Sequence, residues 1–222
     1  MQDHVGKLHR PKLSVSPSSL TPIPRESAGE DRAALRRSLL ARREQLPDRS
    51  AKEAALTAAV VRTVTAIEPR CLGAYCATRG EFDPMPALRQ LAQALPDMQF
   101  ALPVVDAVAR QMRFMAWAPD AALQTGTYGI AVPVDQSREV EPDALLLPCV
   151  GFVPAGLRLG YGGGYYDRYL AGRGDVYTIG LAFDLCELDA LRAEPHDHLL
   201  DLVLTETGRF GLGAGLLDER ER

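Results

Sequence analysis

Residues 142–174 read "PDALLLPCVGFVPAGLRLGYGGGYYDRYLAGRG". The first part, 142–153, is a nearly continuous apolar run, the pattern of a central strand covered on both faces. A short helix follows around Tyr165 to Leu170, and between the two the chain crowds glycine against charge. Strand, glycine loop and helix, in that order, form the layout in which an open α/β sheet binds ligands outside the carboxyl ends of its strands.

Outward from this passage the same alternation continues. In "SAGEDRAALRRSLLARREQL", Ser27 and Glu30 have capping-box spacing, so a helix is expected there, ended by Pro47. Arg32, Arg36 and Arg43 fall near one face of it, and Leu35, Leu39 and Leu46 mark the other. Ser50 and Glu53 repeat the capping signal before a helical stripe of Leu56, Val60, Val64 and Ile67. "CLGAYCA" (71–77) reads as a buried strand, followed by the turn "TRGEFDP", whose Asp83 caps a helix from Pro84 to Leu95. Further strands are expected at 100–105, 111–117, 176–183 and 200–206. The expected fold is a single three-layer α/β/α sandwich with a mostly parallel central sheet. Its expected bounds are 27–210, with a disordered extension at 1–26 and a frayed tail at 211–222.

Composition narrows the function classes. The 222 residues are 46% hydrophobic and 24% charged, enough for a real core in an ordinary globular chain. A net charge of −4 speaks against a general nucleic-acid binder, while leaving room for a local basic site. No stretch reaches the roughly 18 uninterrupted apolar residues of a membrane span. The N-terminal segment lacks the apolar run of a secretory signal. Cys71, Cys76, Cys149 and Cys186 form no CxxC pair and sit in apolar runs, so reduced core thiols and a cytoplasmic location are expected.

Gly160, Gly162, Gly163 and Gly164 allow backbone N–H groups to turn toward an anion that approaches closely, and a helix N-terminus adds positive potential. Phosphate is the natural guest. Yet a Walker loop ends in Gly-Lys-Ser/Thr where this loop ends in Gly-Tyr-Tyr, and a dinucleotide fingerprint requires glycine where Tyr165 stands. Arg158, Asp167 and Arg168 suit an anion accompanied by a hard cation such as magnesium, whereas a plain surface turn seldom carries all three.

The stretch "RLGYGGGYYDRYL" (158–170) closely resembles the signature of the 5-formyltetrahydrofolate cyclo-ligases, also called methenyltetrahydrofolate synthetases. The likeness extends in order through "RAALRRSL", "GEFDP", "MRFMAW", "GTYGIAVP", "PDALLLPCVGF", "IGLAFD" and "EPHDHLLDLVLTE", over roughly residues 30 to 207. The resemblance implies an α/β/α enzyme that uses ATP and Mg2+ to convert 5-formyltetrahydrofolate into 5,10-methenyltetrahydrofolate, through a phosphorylated formyl group. It implies small-molecule substrates, no nucleic-acid or membrane partner, and a monomer.

Carried over by motif position, the ATP site comprises Arg32, Arg36, Arg158, Leu159, Gly160, Tyr161, Gly162, Gly163, Gly164, Tyr165 and Tyr166. The folate site comprises Arg36, Cys76, Glu81, Tyr128, Tyr161, Gly162, Gly163, Gly164 and Tyr165. Arg158, Tyr165 and Asp167 are the catalytic candidates, and Asp167 and Asp197 the magnesium ligands. From the residues alone, Arg32 and Arg36 also read as a solvated face, Asp197 as a turn cap, Asp167 as the partner of a nearby arginine, and Glu81 as a solvent-facing turn residue. His196 and His198 lack a third ligand at suitable spacing, so zinc is not expected. Cys186 and Arg192 depart from the glutamine and proline usual in the family, which touches local loop geometry. Two other readings fit the same architecture: a phosphate- or nucleotide-binding module without catalysis, and a sugar-phosphate isomerase or CoA-transferase relative.

Overall fold

The computed structural model describes residues 31–211. The capping box at Ser27 and Glu30, the extension at 1–26 and the tail from 212 on lie outside the described residues. Helix α1 (Arg32–Glu44) begins instead at Asp31, whose side chain accepts the Ala33 N–H. Helix α2 (Arg49–Ile67) is not opened by Ser50 as its spacing suggests. Asp48 takes the N-cap position in a left-handed conformation, and Glu53 pairs with Arg49 one turn back. Its expected stripe is buried, with Leu56, Val60 and Val64 at 0% exposure.

Eight strands form one sheet in the order β12-β11-β10-β7-β1-β2-β3-β6. The five inner strands β11 (Leu202–Leu204), β10 (Tyr177–Leu181), β7 (Ala144–Pro148), β1 (Cys71–Gly73) and β2 (Gln99–Asp106) run parallel. Antiparallel β12 (Arg209–Phe210) closes one edge, and β3 (Gln111–Trp117) with β6 (Glu139–Val140) closes the other. Leucines of β7 alternate between the two faces, as the two-residue strand period requires. Leu146 joins the layer of α2 and α3 (Met85–Ala94), which includes Val60, Leu88 and Leu91. Leu145 and Leu147 join the opposite layer, with Phe114, Tyr169 and Leu170. Tyr169 and Leu170 belong to α4 (Tyr165–Leu170), and Tyr169 meets Phe114 of β3 edge-on at 5.0 Å. The sandwich is the expected one.

The run at 142–153 is not one strand. It ends as part of the sheet at Pro148, and Gly151–Phe152 (β8) turns away to pair antiparallel with Arg158–Leu159 (β9). Gly151 permits this departure because α1 lies against it: a β-carbon there would stand 2.7 Å from Leu39 Cδ1. A run of apolar residues records burial, and burial beneath α1 looks the same in sequence as burial within a sheet. The strand expected at 71–77 likewise stops at Gly73, and that at 200–206 contracts to β11. The small hairpin β4 (Leu123–Thr125) with β5 (Ala131–Pro133) was not legible, because β4 is exposed throughout and lacks alternation.

Candidate active site

The β8–β9 hairpin carries the chain from the carboxyl end of β7 to the glycine loop, Gly160–Gly164, which leads directly into α4. Gly162 (φ +91°) and Gly164 (φ +64°) hold backbone conformations that side chains disfavour. Arginines anchor the loop: Arg36 Nε donates to the Gly160 carbonyl at 2.7 Å, and Arg168 Nη2 to the Gly163 carbonyl at 2.8 Å. Among the described residues, none accepts a hydrogen bond from the amides of Gly162, Gly163 or Gly164. Carbonyls held and amides unspent are what an anion requires of a loop. Helix α4 has only six residues, so its dipole adds less than the sequence pattern suggests, and the loop amides carry the effect.

A cavity of about 770 Å3 adjoins the loop, lined by Gly162–Gly164, Asp167, Arg168, Arg110, Asp197 and His198 among others. Arg158 is almost fully buried behind it. Its Nη2 donates to Asp167 Oδ1 at 2.7 Å and its Nη1 to the His198 carbonyl at 3.1 Å. The His198 amide also donates to Asp167 Oδ1, at 3.3 Å. Arg158 therefore orients Asp167 from beneath and is not among the residues lining the cavity. Leu159 is wholly buried against Leu39 and Val150, so only its backbone serves the loop.

Asp197 is gripped by Arg32, with Nη1 and Nη2 donating to its two oxygens at 3.3 and 2.6 Å, and it accepts the Glu194 amide at 2.8 Å. Burial works against its charged form, but Arg32 and the Glu194 amide outweigh burial and hold the carboxyl below its usual range. Arg32 also donates to the Arg192 carbonyl at 2.7 Å, so the residue at 192 enters this corner through its backbone. Glu194, His196 and Asp197 place one ligand atom each within 4.8 Å of one another. Asp167 Oδ2 has no partner among the described residues, and its carboxylate borders the cavity. Oxygen donors of this kind fit a hard divalent cation.

The other end of the site is buried. The 78–81 turn, with Arg79 (φ +47°) and Gly80 (φ +71°) both left-handed, folds Glu81 inward to 7% exposure. Glu81 Oε2 accepts the Thr78 amide at 2.6 Å and the Thr78 hydroxyl at 3.3 Å. Burial pushes the Glu81 carboxyl up, against Tyr161, Thr78 and Arg43, which favour its ionised form. Tyr166 lies close enough to Glu81 and Cys76 to feel both. Burial, with Asp83 nearby, pushes the Cys76 thiol up to about 11, so it is no nucleophile at neutral pH. The Tyr161 hydroxyl of the glycine loop accepts from Arg43, which also holds the Arg79 carbonyl of the Glu81 turn.

At the rim, the exposed Tyr128 reaches Tyr165 hydroxyl to hydroxyl at 2.8 Å, and Arg168 stacks on the Tyr165 ring at 4.9 Å. Of the expected site residues, Gly162, Gly163, Gly164, Asp167 and Asp197 line the cavity beside the loop, while Glu81, Cys76, Tyr128 and Tyr161 lie outside its lining. A second cavity, of about 470 Å3 beside Gln99, Trp117 and Arg138, lies at the amino ends of the parallel strands, away from these groups. Two arginines near the cleft were given no ligand role in the sequence reading: Arg110, which lines the cavity, and the buried Arg43. Arg43 had a readable signal, since eleven residues from Arg32 is close to three helical turns on one face. All four cysteines are free thiols, and among the described residues no helix is long and apolar enough to cross a membrane.

Fold and site together define an α/β protein whose ligand cleft is a glycine loop backed by arginines at a sheet's carboxyl edge. The chain belongs to the 5-formyltetrahydrofolate cyclo-ligase family, whose model matches residues 28–206, and it is an enzyme of that class. It is 34% identical over 133 residues to an Escherichia coli protein named 5-formyltetrahydrofolate cyclo-ligase, covering 57% of this chain and 72% of that one. The solved 5,10-methenyltetrahydrofolate synthetase of Aquifex aeolicus superposes with a TM-score of 0.66 at 25% identity, covering 82% of this chain and 92% of that one. The Mycoplasma pneumoniae synthetase shares the fold, with a TM-score of 0.65 at 24% identity over 80% of this chain and 99% of that one.

Proposed function

We propose that the protein converts 5-formyltetrahydrofolate and ATP into 5,10-methenyltetrahydrofolate, ADP and phosphate. The observation that carries this reading is that Arg43 ties the Tyr161 hydroxyl of a loop suited to phosphate to the turn that buries Glu81, a carboxylate suited to a pterin. The formyl oxygen attacks the terminal phosphorus, an O–P bond forms, and the bond to ADP breaks. The resulting iminium phosphate is closed by the neighbouring folate nitrogen, which loses its proton as phosphate leaves. An amide oxygen leaves poorly and a phosphate well, which is why the reaction consumes ATP. The protein's part is to bring the two reactants together and stabilise the moving charge.

In this reading the amides of Gly160–Gly164 take the phosphate chain, with Arg36 steadying the loop and Arg32 holding the opposite corner. Glu81 accepts the pterin N–H groups, Cys76 and Tyr166 wall the ring, and Tyr128 and Tyr165 line its mouth. Asp167, oriented by Arg158, and Asp197 hold Mg2+. The ion supplies charge neutralisation at the phosphates. The enzyme works as a cytoplasmic monomer on small-molecule substrates, without nucleic acid or membrane.

Absorbance of the methenyl product, followed with ATP and Mg2+ each omitted in turn, tests the proposal. ADP formed one-for-one with product, and only when 5-formyltetrahydrofolate is present, is the expected result. ATP binding without substrate-dependent ADP would mean a binding module, and methenyl product formed without ATP would exclude the phosphorylated intermediate.

A further inference from the structure

Helix α1 buries two side chains, Leu39 and Arg43, and the second is a full charge at 2% exposure. Its guanidinium makes four hydrogen bonds to three separate segments. Nε and Nη2 donate to the Arg79 carbonyl at 3.2 and 2.8 Å, Nη1 to the Cys149 carbonyl at 3.3 Å, and Nη2 to the Tyr161 hydroxyl at 2.6 Å. These segments are the Glu81 turn, the exit from β7 and the glycine loop. A tie of merely structural purpose does not require a buried charge, since apolar side chains of similar volume serve as well or better.

The polarity of the chain of bonds is decisive. An arginine can only donate, so the Tyr161 oxygen accepts from Arg43 and its own proton must point elsewhere. Glu81, buried in the turn that Arg43 holds through the Arg79 carbonyl, is the neighbouring acceptor. We propose that Arg43 is a positioning residue for the buried end of the site: it aims the Tyr161 hydroxyl at Glu81 and thereby sets how firmly Glu81 grips the substrate ring. The inference rests on the folate reading above.

Arg43 also acts on Glu81 as a positive charge, while the neighbouring Tyr75, Cys149, Tyr161 and Tyr166 carry no charge at neutral pH. Arg43 therefore favours the ionised, acceptor-only form of Glu81. Its loss moves the protonation of Glu81 to higher pH.

The test measures 5-formyltetrahydrofolate binding by calorimetry, and turnover, from pH 5 to 8 in roughly half-unit steps spanning the carboxylate and histidine ranges. Arg43→Met keeps the stem and removes the charge. It is expected to weaken folate binding by about ten- to a hundredfold, the usual scale for a charge-assisted hydrogen bond. Its acid limb should move upward, and Arg43→Lys should restore part of the shift. Tyr161→Phe, which removes the link, should move the limb in the same direction, and the double variant should lose less than the product of the single losses. Variants that lower melting temperature and kcat while leaving folate KM and the acid limb at their wild-type values overturn the proposal. Should Arg43→Met fail to fold, Arg43→Lys and Tyr161→Phe carry the test, and unmoved limbs in both overturn it. A wild-type chain that binds 5-formyltetrahydrofolate without turnover refutes the catalytic reading alone, and one that does neither refutes both.

Discussion

Arg158 holds Asp167 at 2.7 Å from beneath the glycine loop, and the pair is largely shielded, with side-chain exposures of 5% and 19%. One oxygen of Asp167 thus belongs to the fold, while the other has no partner among the described residues. Structural and metal roles can therefore coexist on one carboxylate.

Asp167→Asn keeps an acceptor for Arg158 but leaves a buried guanidinium without its counter-charge. A stability loss of about 1–3 kcal/mol is expected, together with loss of most turnover. If the metal role holds, raising Mg2+ restores part of the turnover but none of the melting temperature. Wild-type turnover at limiting Mg2+ would leave Asp167 as a counterion only.

Two glycines separate the anion cradle from the fold. A β-carbon at Gly160 meets nothing within 4 Å, so Gly160→Ala should melt within about 0.5 kcal/mol of wild type. ATP affinity should nevertheless fall if phosphate oxygens approach that backbone. At Gly163 a β-carbon would sit 2.9 Å from Tyr165 Cδ2, so Gly163→Val displaces the ring and should weaken both ligands. Unchanged ATP affinity in both variants would disprove the cradle.

Glu81 links function to stability with opposite signs. Its carboxyl is raised above the ordinary 4.5, so in the window from 4.5 up to the raised value the folded state binds more protons than the unfolded. Stability attributable to Glu81 is fully present below that window and is lost as pH rises through it. If Glu81 accepts from the pterin as proposed, folate binding should strengthen over the same range. Urea unfolding of wild type against Glu81→Gln should show the variant gaining relative stability as pH rises, with its folate KM raised far more than its ATP KM. A stability difference independent of pH, or equal losses for the two ligands, would contradict this placement.

Tyr128 is exposed and meets Tyr165 through its hydroxyl and through its ring, with centroids 6.2 Å apart. Tyr128→Ala should cost under about 0.5 kcal/mol of stability yet raise folate KM several-fold, leaving ATP KM near wild type. An unaltered folate KM would remove the rim from the substrate site.

Local periodicity and turn chemistry, both properties of neighbouring residues, were legible directly: the buried stripe of α2, the strands β2 and β3, the glycine loop and the start of α4 at Tyr165. The family motifs likewise brought Glu81, Tyr161 and Asp167 to attention, because each stands within a short signature. Where 142–153 leaves the sheet depended on α1 packing against Gly151, a contact across more than a hundred residues that leaves no local trace. The same is true of Arg43: a helix face rich in arginine reads as solvated until Arg79, Cys149 and Tyr161 are brought around it. The tertiary structure alone decided which charges are buried and paired. Burial and pairing depend on distance in space, and distance along the chain does not encode them.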